Sequence, residues 1–164
     1  MEKQMLKDKE ADYAGRNRKN TFLVINMLAP LILGAVIYYI ISPEVLFVQR
    51  IDAFAGKELH RRGIDYSNIV FRFVRNYGLD MLWGYAFVFA LFFVFDSNAA
   101  GLMKILLVSF VFAAVMEILQ LTSIVKGTFD VLDICVEFLA EVAAVFIIKN
   151  YCLRGGSKEN EKEI

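Results

Sequence analysis

The stretch FDVLDICVEFLAEV, residues 129–142, decides how this chain is read. Its apolar residues make a membrane-spanning helix, yet Asp130, Asp133, Glu137 and Glu141 put four carboxylates where hydrocarbon would be. A charged side chain at bilayer depth costs roughly 2.5–3.5 kcal/mol on insertion scales, so such residues turn inward and mark function by default. The spacing permits this. At about 100° per residue the four acids fall within an arc of roughly 80° on one helix face. They run down about 16 Å of that helix at a rise of about 1.5 Å per residue. Ile134, Cys135, Val136, Phe138, Leu139 and Ala140 supply the opposite side. The segment reads as a helix with a lipid-facing apolar side and a bundle-facing acidic stripe.

The rest of the chain supplies the bundle. Of 164 residues, 58% are hydrophobic, and the mean hydropathy is +0.52. A soluble domain of this size is nearer half apolar, so the excess points to a membrane protein. Residues 21–40 are uncharged and long enough to cross a hydrocarbon core of about 30 Å, with Pro30 tolerable inside a bundle. Residues 81–95 form a shorter apolar run that reaches spanning length if the helix starts near Asn76. Residues 101–123 make another span, with Lys104 near one end and Glu117 near the other. The fold expectation is all-α: an integral membrane four-helix bundle with spans at about 21–41, 77–95, 101–123 and 129–148. A charged N-terminal segment (1–20) precedes the membrane domain (21–148), and a polar tail (149–164) follows it. Short connections at 96–100 and 124–128 make spans two, three and four antiparallel neighbours. The longer connection, 42–78, is charged but apolar in stretches. Its part YSNIVFRFVRNYGLD (66–80) reads as an interfacial or re-entrant segment between spans one and two.

Equal numbers of basic and acidic residues, 18 each, argue against a nucleic-acid partner, which would require a basic field. The lone His60 and the two separated cysteines, Cys135 and Cys152, offer neither a zinc site nor a disulfide framework. The N-terminus reads as a retained segment, not a cleaved signal peptide. Basic residues flank both ends of the membrane domain, so the positive-inside rule places both termini in the cytoplasm and the acidic stripe in the outer half of the bilayer. The lipid bilayer is the first expected partner.

Partners for the stripe follow from the same spacing. Glu117 and Gln120 share a face, and the short turn brings them to the depth of Asp130 and Asp133. Asp80 starts span two at the same end. So many carboxylates cannot all ionise in a low dielectric, so either protons or cations compensate them. Arg72, Arg75 and Lys126 are the candidate compensating charges. Asp130 also suits a helix N-cap and Asp133 a first turn, where the macrodipole favours acids. Glu137 and Glu141 lie two to three turns deep and have no such account.

MEILQLTSIVKGTFDVLDICVEFLAEV (116–142) resembles the signature of VanZ-like membrane proteins: Glu and Gln ending one span, a short turn, then D-x-x-D opening the next. NYGLDMLWGYAF (76–87) is similar to a second family feature, an Asp before an aromatic-rich helix start. The matching positions are Glu117, Gln120, Asp130, Asp133, Asp80 and Trp83, within residues 77–145. Gly127 stands where many members carry Arg, and Glu137 and Ala140 stand where Asn and Gly usually follow. The resemblance implies the bacterial cytoplasmic (inner) membrane, a link to the cell envelope, and an association with teicoplanin resistance.

Three function classes follow. The first is an envelope-associated protein whose polar site holds a cation, a lipid-linked envelope component, or a divalent ion on Asp130, Asp133, Glu117 and Gln120. The second is a proton- or cation-coupled transporter, which at four spans would need a homodimer. The third is an intramembrane enzyme, disfavoured because no catalytic His, Ser–His or GxGD arrangement is present. No cofactor is expected.

Overall fold

Residues 2–20 are rich in Lys, Glu, Gln, Met, Leu and Arg, all good helix formers, and contain no proline. In the computed structural model, which describes residues 2–41, 46–55, 68–95, 99–122 and 129–153, they are one helix with the first apolar run. This helix, α1 (Glu2–Ile41), is 40 residues long and carries Pro30 internally. The charged N-terminal segment is therefore a helical extension of the first span, where the sequence alone set a boundary at residue 20. A short helix, α2 (Leu46–Ala55), follows. The Tyr39 hydroxyl donates to an Asp52 carboxylate oxygen and ties α2 back to α1.

The segment 66–80, expected to be interfacial or re-entrant, is helical from residue 69 and continuous with the second apolar run. Asn68 caps α3 (Ile69–Phe73), its side chain accepting the Val70 N–H at 2.8 Å. A π-helical turn, Val74–Gly78, carries the chain without a break into α4 (Leu79–Phe95). A capped start and continuous helical dihedrals leave no place for re-entry. The remaining helices are α5 (Ala99–Leu121) and α6 (Val131–Ile148), the latter extended by a second π-helical turn, Lys149–Leu153. Among the described residues there is no strand.

Helix α4 is the centre of the bundle, packing on α1, α5 and α6. Pair positions give the directions. Tyr85 meets Asn26, Phe89 meets Phe22, and Lys19 sits over the Phe92 ring, so α1 and α4 are antiparallel. Glu117 meets Asp130 and Ser109 meets Glu141, so α5 and α6 are antiparallel. Gly84 abuts Glu137, and Asp80 lies by Asp133, each pair offset by the same number of residues, so α4 and α6 run parallel. Phe22 stacks on Tyr151 at 3.7 Å between centroids, which places the start of the first span and the end of α6 at one end of the bundle.

That end holds the apolar core: Leu23, Val88, Phe89, Phe92, Leu102, Ile105, Ala144 and Ile148. Three runs are long and apolar enough to cross a membrane, Tyr13–Ile40, Ile69–Phe95 and Gly101–Leu121, which marks the chain as a membrane protein. Large side chains such as Ile32, Val94, Leu107 and Leu139 cover the outside and suit contact with lipid. Helix α6 carries Asp133, Glu137 and Glu141 within its 18 residues, and that density of acids sets it apart from the three runs above.

Candidate functional site: an acidic lane inside the bundle

The end of the bundle away from the core is polar inside. Asp130 is the N-cap of α6, with extended dihedrals and a side-chain oxygen accepting the Leu132 N–H at 2.9 Å. The capping reading is thus the one realised for Asp130, and the helical stripe is Asp133, Glu137 and Glu141 at i, i+4 and i+8. Glu117, buried on α5, supports the same helix start. Its Oε2 accepts the Asp130 backbone N–H at 3.2 Å, and its Oε1 accepts Gln120 Nε2 at 3.0 Å. A helix begins with N–H groups that lack intrahelical partners, and this carboxylate satisfies one of them from the neighbouring helix. Glu117 therefore meets Asp130 across the turn, with Gln120 holding its other oxygen, as a structural clasp.

Deeper in, Glu137 is 9% exposed and Glu141 fully buried. Both point into the bundle. Glu137 lies against Gly84 of α4, so closely that a Cβ there would sit 2.5 Å from Glu137 Cγ and 3.1 Å from Oε1. Only glycine leaves room for this side chain on the α4 backbone. Glu141 reaches α5, where the buried Ser109 hydroxyl donates to its Oε1 at 2.5 Å; its Oε2 is buried with no hydrogen-bond partner. Asp80, in the first turn of α4, is near enough to Glu117, Asp133 and Glu137 to interact with all three electrostatically. Tyr77, in the π-helical turn, lies by Asp130 and Asp133. Asp80, Glu117, Asp133, Glu137 and Glu141 thus line one lane between α4, α5 and α6.

Of the expected compensating charges, only Arg72 has a described side chain. It is exposed and forms no ion pair with these acids; the Arg75 side chain, on the π-helical turn, and Lys126 lie outside what the structure describes. Among the described residues, none of the five lane acids is paired with a Lys or Arg. Nor do three His, Cys, Asp or Glu side chains converge in a way that could hold a metal ion. The divalent site on Asp130, Asp133, Glu117 and Gln120 finds no such arrangement, because Glu117 and Asp130 direct oxygens to helix N–H groups.

Three contributors were not singled out from sequence: Ser109, Gly84 and Tyr77. A signal existed for each. Ser109 precedes Glu117 by two turns, with the buried Ala113 between them on the same face. Gly84 and Tyr77 lie one turn after and one turn before Asp80. What the sequence does not show is that these faces meet.

No family model, curated protein or solved structure matches this chain.

Proposed function

We propose that α6 is a fourth membrane span and that the chain is a VanZ-like protein of the bacterial cytoplasmic membrane. Its acidic lane, in the outer half of the bilayer, takes a cationic group, such as one carried by a lipid-linked envelope component. One observation carries this reading: three buried carboxylates, Glu117, Glu137 and Glu141, lie with the half-buried Asp80 and Asp133 inside the helix bundle, with no Lys or Arg paired to them among the described side chains. Buried acids without a counter-charge are costly, and a positive ligand group offsets that cost. The motif resemblance at Glu117, Gln120, Asp130 and Asp133 supports the envelope link and, through it, a role in glycopeptide resistance. With both termini cytoplasmic, α2 would lie at the outer interface, where the fully exposed Phe54 can enter the headgroup region.

Asp133 and Glu137 are the informative positions, since Glu117 also holds the start of α6. Asp133→Asn and Glu137→Gln are expected to abolish the envelope-antibiotic phenotype at unchanged protein level. Loss of the protein itself would assign the acids a structural role and defeat the proposal.

The depth of the lane favours a second reading, a proton- or cation-coupled transporter acting as a homodimer. Its passage would require the apolar core around Phe89 and Phe92 to open. Proteoliposome flux separates the two: cation-dependent flux lost in Glu137→Gln supports transport, and absence of flux leaves binding.

A further inference from the structure

The lane ends blind at Glu141. Toward the mouth, Glu137 lies one helical turn away, followed by Asp80 of α4, Glu117 of α5 and Asp133 of α6. In the other direction lie Val88, Phe89, Phe92, Leu102, Ile105, Ala144 and Ile148, all buried and apolar. Nothing in that core can accept a charge from Glu141. At the junction, Ser109 of α5 contacts Oε1 while Oε2 is enclosed without a donor.

The coordination available selects the occupant. Hard metal cations take about six or more oxygen ligands. Here the Glu141 carboxylate and the Ser109 hydroxyl, with the Glu137 carboxylate one turn away, supply fewer than that, since helical carbonyls are engaged in their own ladder. A proton needs a single lone pair. Placed on Oε1, it reverses the hydrogen bond with Ser109, Oε1–H now donating to Oγ, and Oε2 is left as a neutral carbonyl oxygen. Removed, the same enclosed oxygen becomes part of an unsolvated charge, which is much more costly than an unpartnered neutral acceptor.

We propose that Glu141, held by Ser109, is a reversible proton-binding site at the blind end of the lane, loaded through Glu137. This rests on the reading that the acids face the bundle interior. The titratable group that reaches Glu141 is Glu137, one turn away on α6, and the groups acting on Glu137 in turn are Asp80 from α4, Glu117 from α5 and Asp133 from α6, all acidic. A cationic group entering at the mouth therefore meets a lane whose inner end exchanges a proton, while the apolar core prevents that proton from crossing.

The test uses the full chain in phospholipid vesicles treated with dicyclohexylcarbodiimide, a lipid-soluble reagent that adds to protonated carboxyl groups. Adducts are mapped by mass spectrometry. The expected result is an adduct on Glu141 that is lost in Glu141→Gln, persists in Ser109→Ala and declines as pH is raised. Mapping on the wild-type chain keeps the test decisive should Glu141→Gln fail to fold. An adduct on Glu137 or Asp133 with none on Glu141 overturns the proton site and leaves the lane intact. Absence of adducts from all three overturns both.

Discussion

Replacing Gly84 by alanine tests the packing that creates the lane, and the size of its effect follows from the geometry. The added Cβ would lie 2.5 Å from Glu137 Cγ, 3.1 Å from Oε1 and 3.3 Å from Cδ. Carbon atoms pack at about 3.5–4.0 Å, so Glu137 must retreat by roughly 1 Å or more. The nearest atom is the middle of the side chain, not its free end, so a rotation of the carboxylate alone does not relieve it. Overpacking of this kind costs about 1–3 kcal/mol. Alanine in place of glycine within a helix returns about 1 kcal/mol. Gly84→Ala should therefore be destabilising by about 0–2 kcal/mol in the wild-type background. In a Glu137→Ala background the three clashing atoms are gone, and the same substitution should stabilise by about 1 kcal/mol. The coupling between the two sites is then about 1–3 kcal/mol, measurable as a double-mutant cycle by denaturing-detergent unfolding of the full chain in mixed micelles. A coupling within about 0.5 kcal/mol of zero would refute the claim that Glu137 lies on Gly84.

Other consequences are smaller and equally specific. Asp130→Ala should cost about 1 kcal/mol of stability, and Asp130→Ser should restore most of it, because serine also caps a helix; equal losses in both would exclude capping. Glu117→Gln keeps one acceptor oxygen and should lose about 0.5–1.5 kcal/mol, with Glu117→Ala losing more, as read by the same unfolding assay. Tyr85 donates to Asn26 Oδ1 at 2.8 Å across the α1–α4 interface. Hydrogen bonds between membrane helices average about 0.6 kcal/mol, so Tyr85→Phe should cost about that much and leave any ligand response unchanged.

Much of this arrangement was legible in the sequence. Helical periodicity put Glu137 and Glu141 on one inward face because a carboxylate cannot face lipid cheaply, and both are buried. Antiparallel α5 and α6 followed from the short link between them, and with it the meeting of Glu117 and Asp130. Two things were not legible. The first is how far the helices run beyond the apolar stretches: residues 2–20 are polar yet strongly helix-forming, and residues 69–78 join α4 through a π-helical turn that has no plain sequence mark. The second is lateral neighbourhood. Period alone orients a face but does not say which helix it meets, so the Glu137–Gly84 and Glu141–Ser109 pairs needed the packed structure. Arg72 illustrates the same gap, since charge complementarity nominated it as a counter-ion and its helix face turns it outward.

The central claim is that α6 lies in the bilayer with its acids turned inward. The most direct measurement places single spin labels along residues 131–148, with Cys135 replaced where it is not the labelled site and Cys152 replaced throughout. Each label is then read for collision with oxygen, which concentrates in lipid, and with a water-soluble nickel chelate. The account predicts high oxygen accessibility at 139 and 146, low accessibility to both reagents at 137, 141 and 144, and a period of about 3.6 residues between the extremes. Labels at 137 and 141 as accessible to oxygen as those at 139 and 146, or an outer face relaxed mainly by the aqueous reagent, would contradict it.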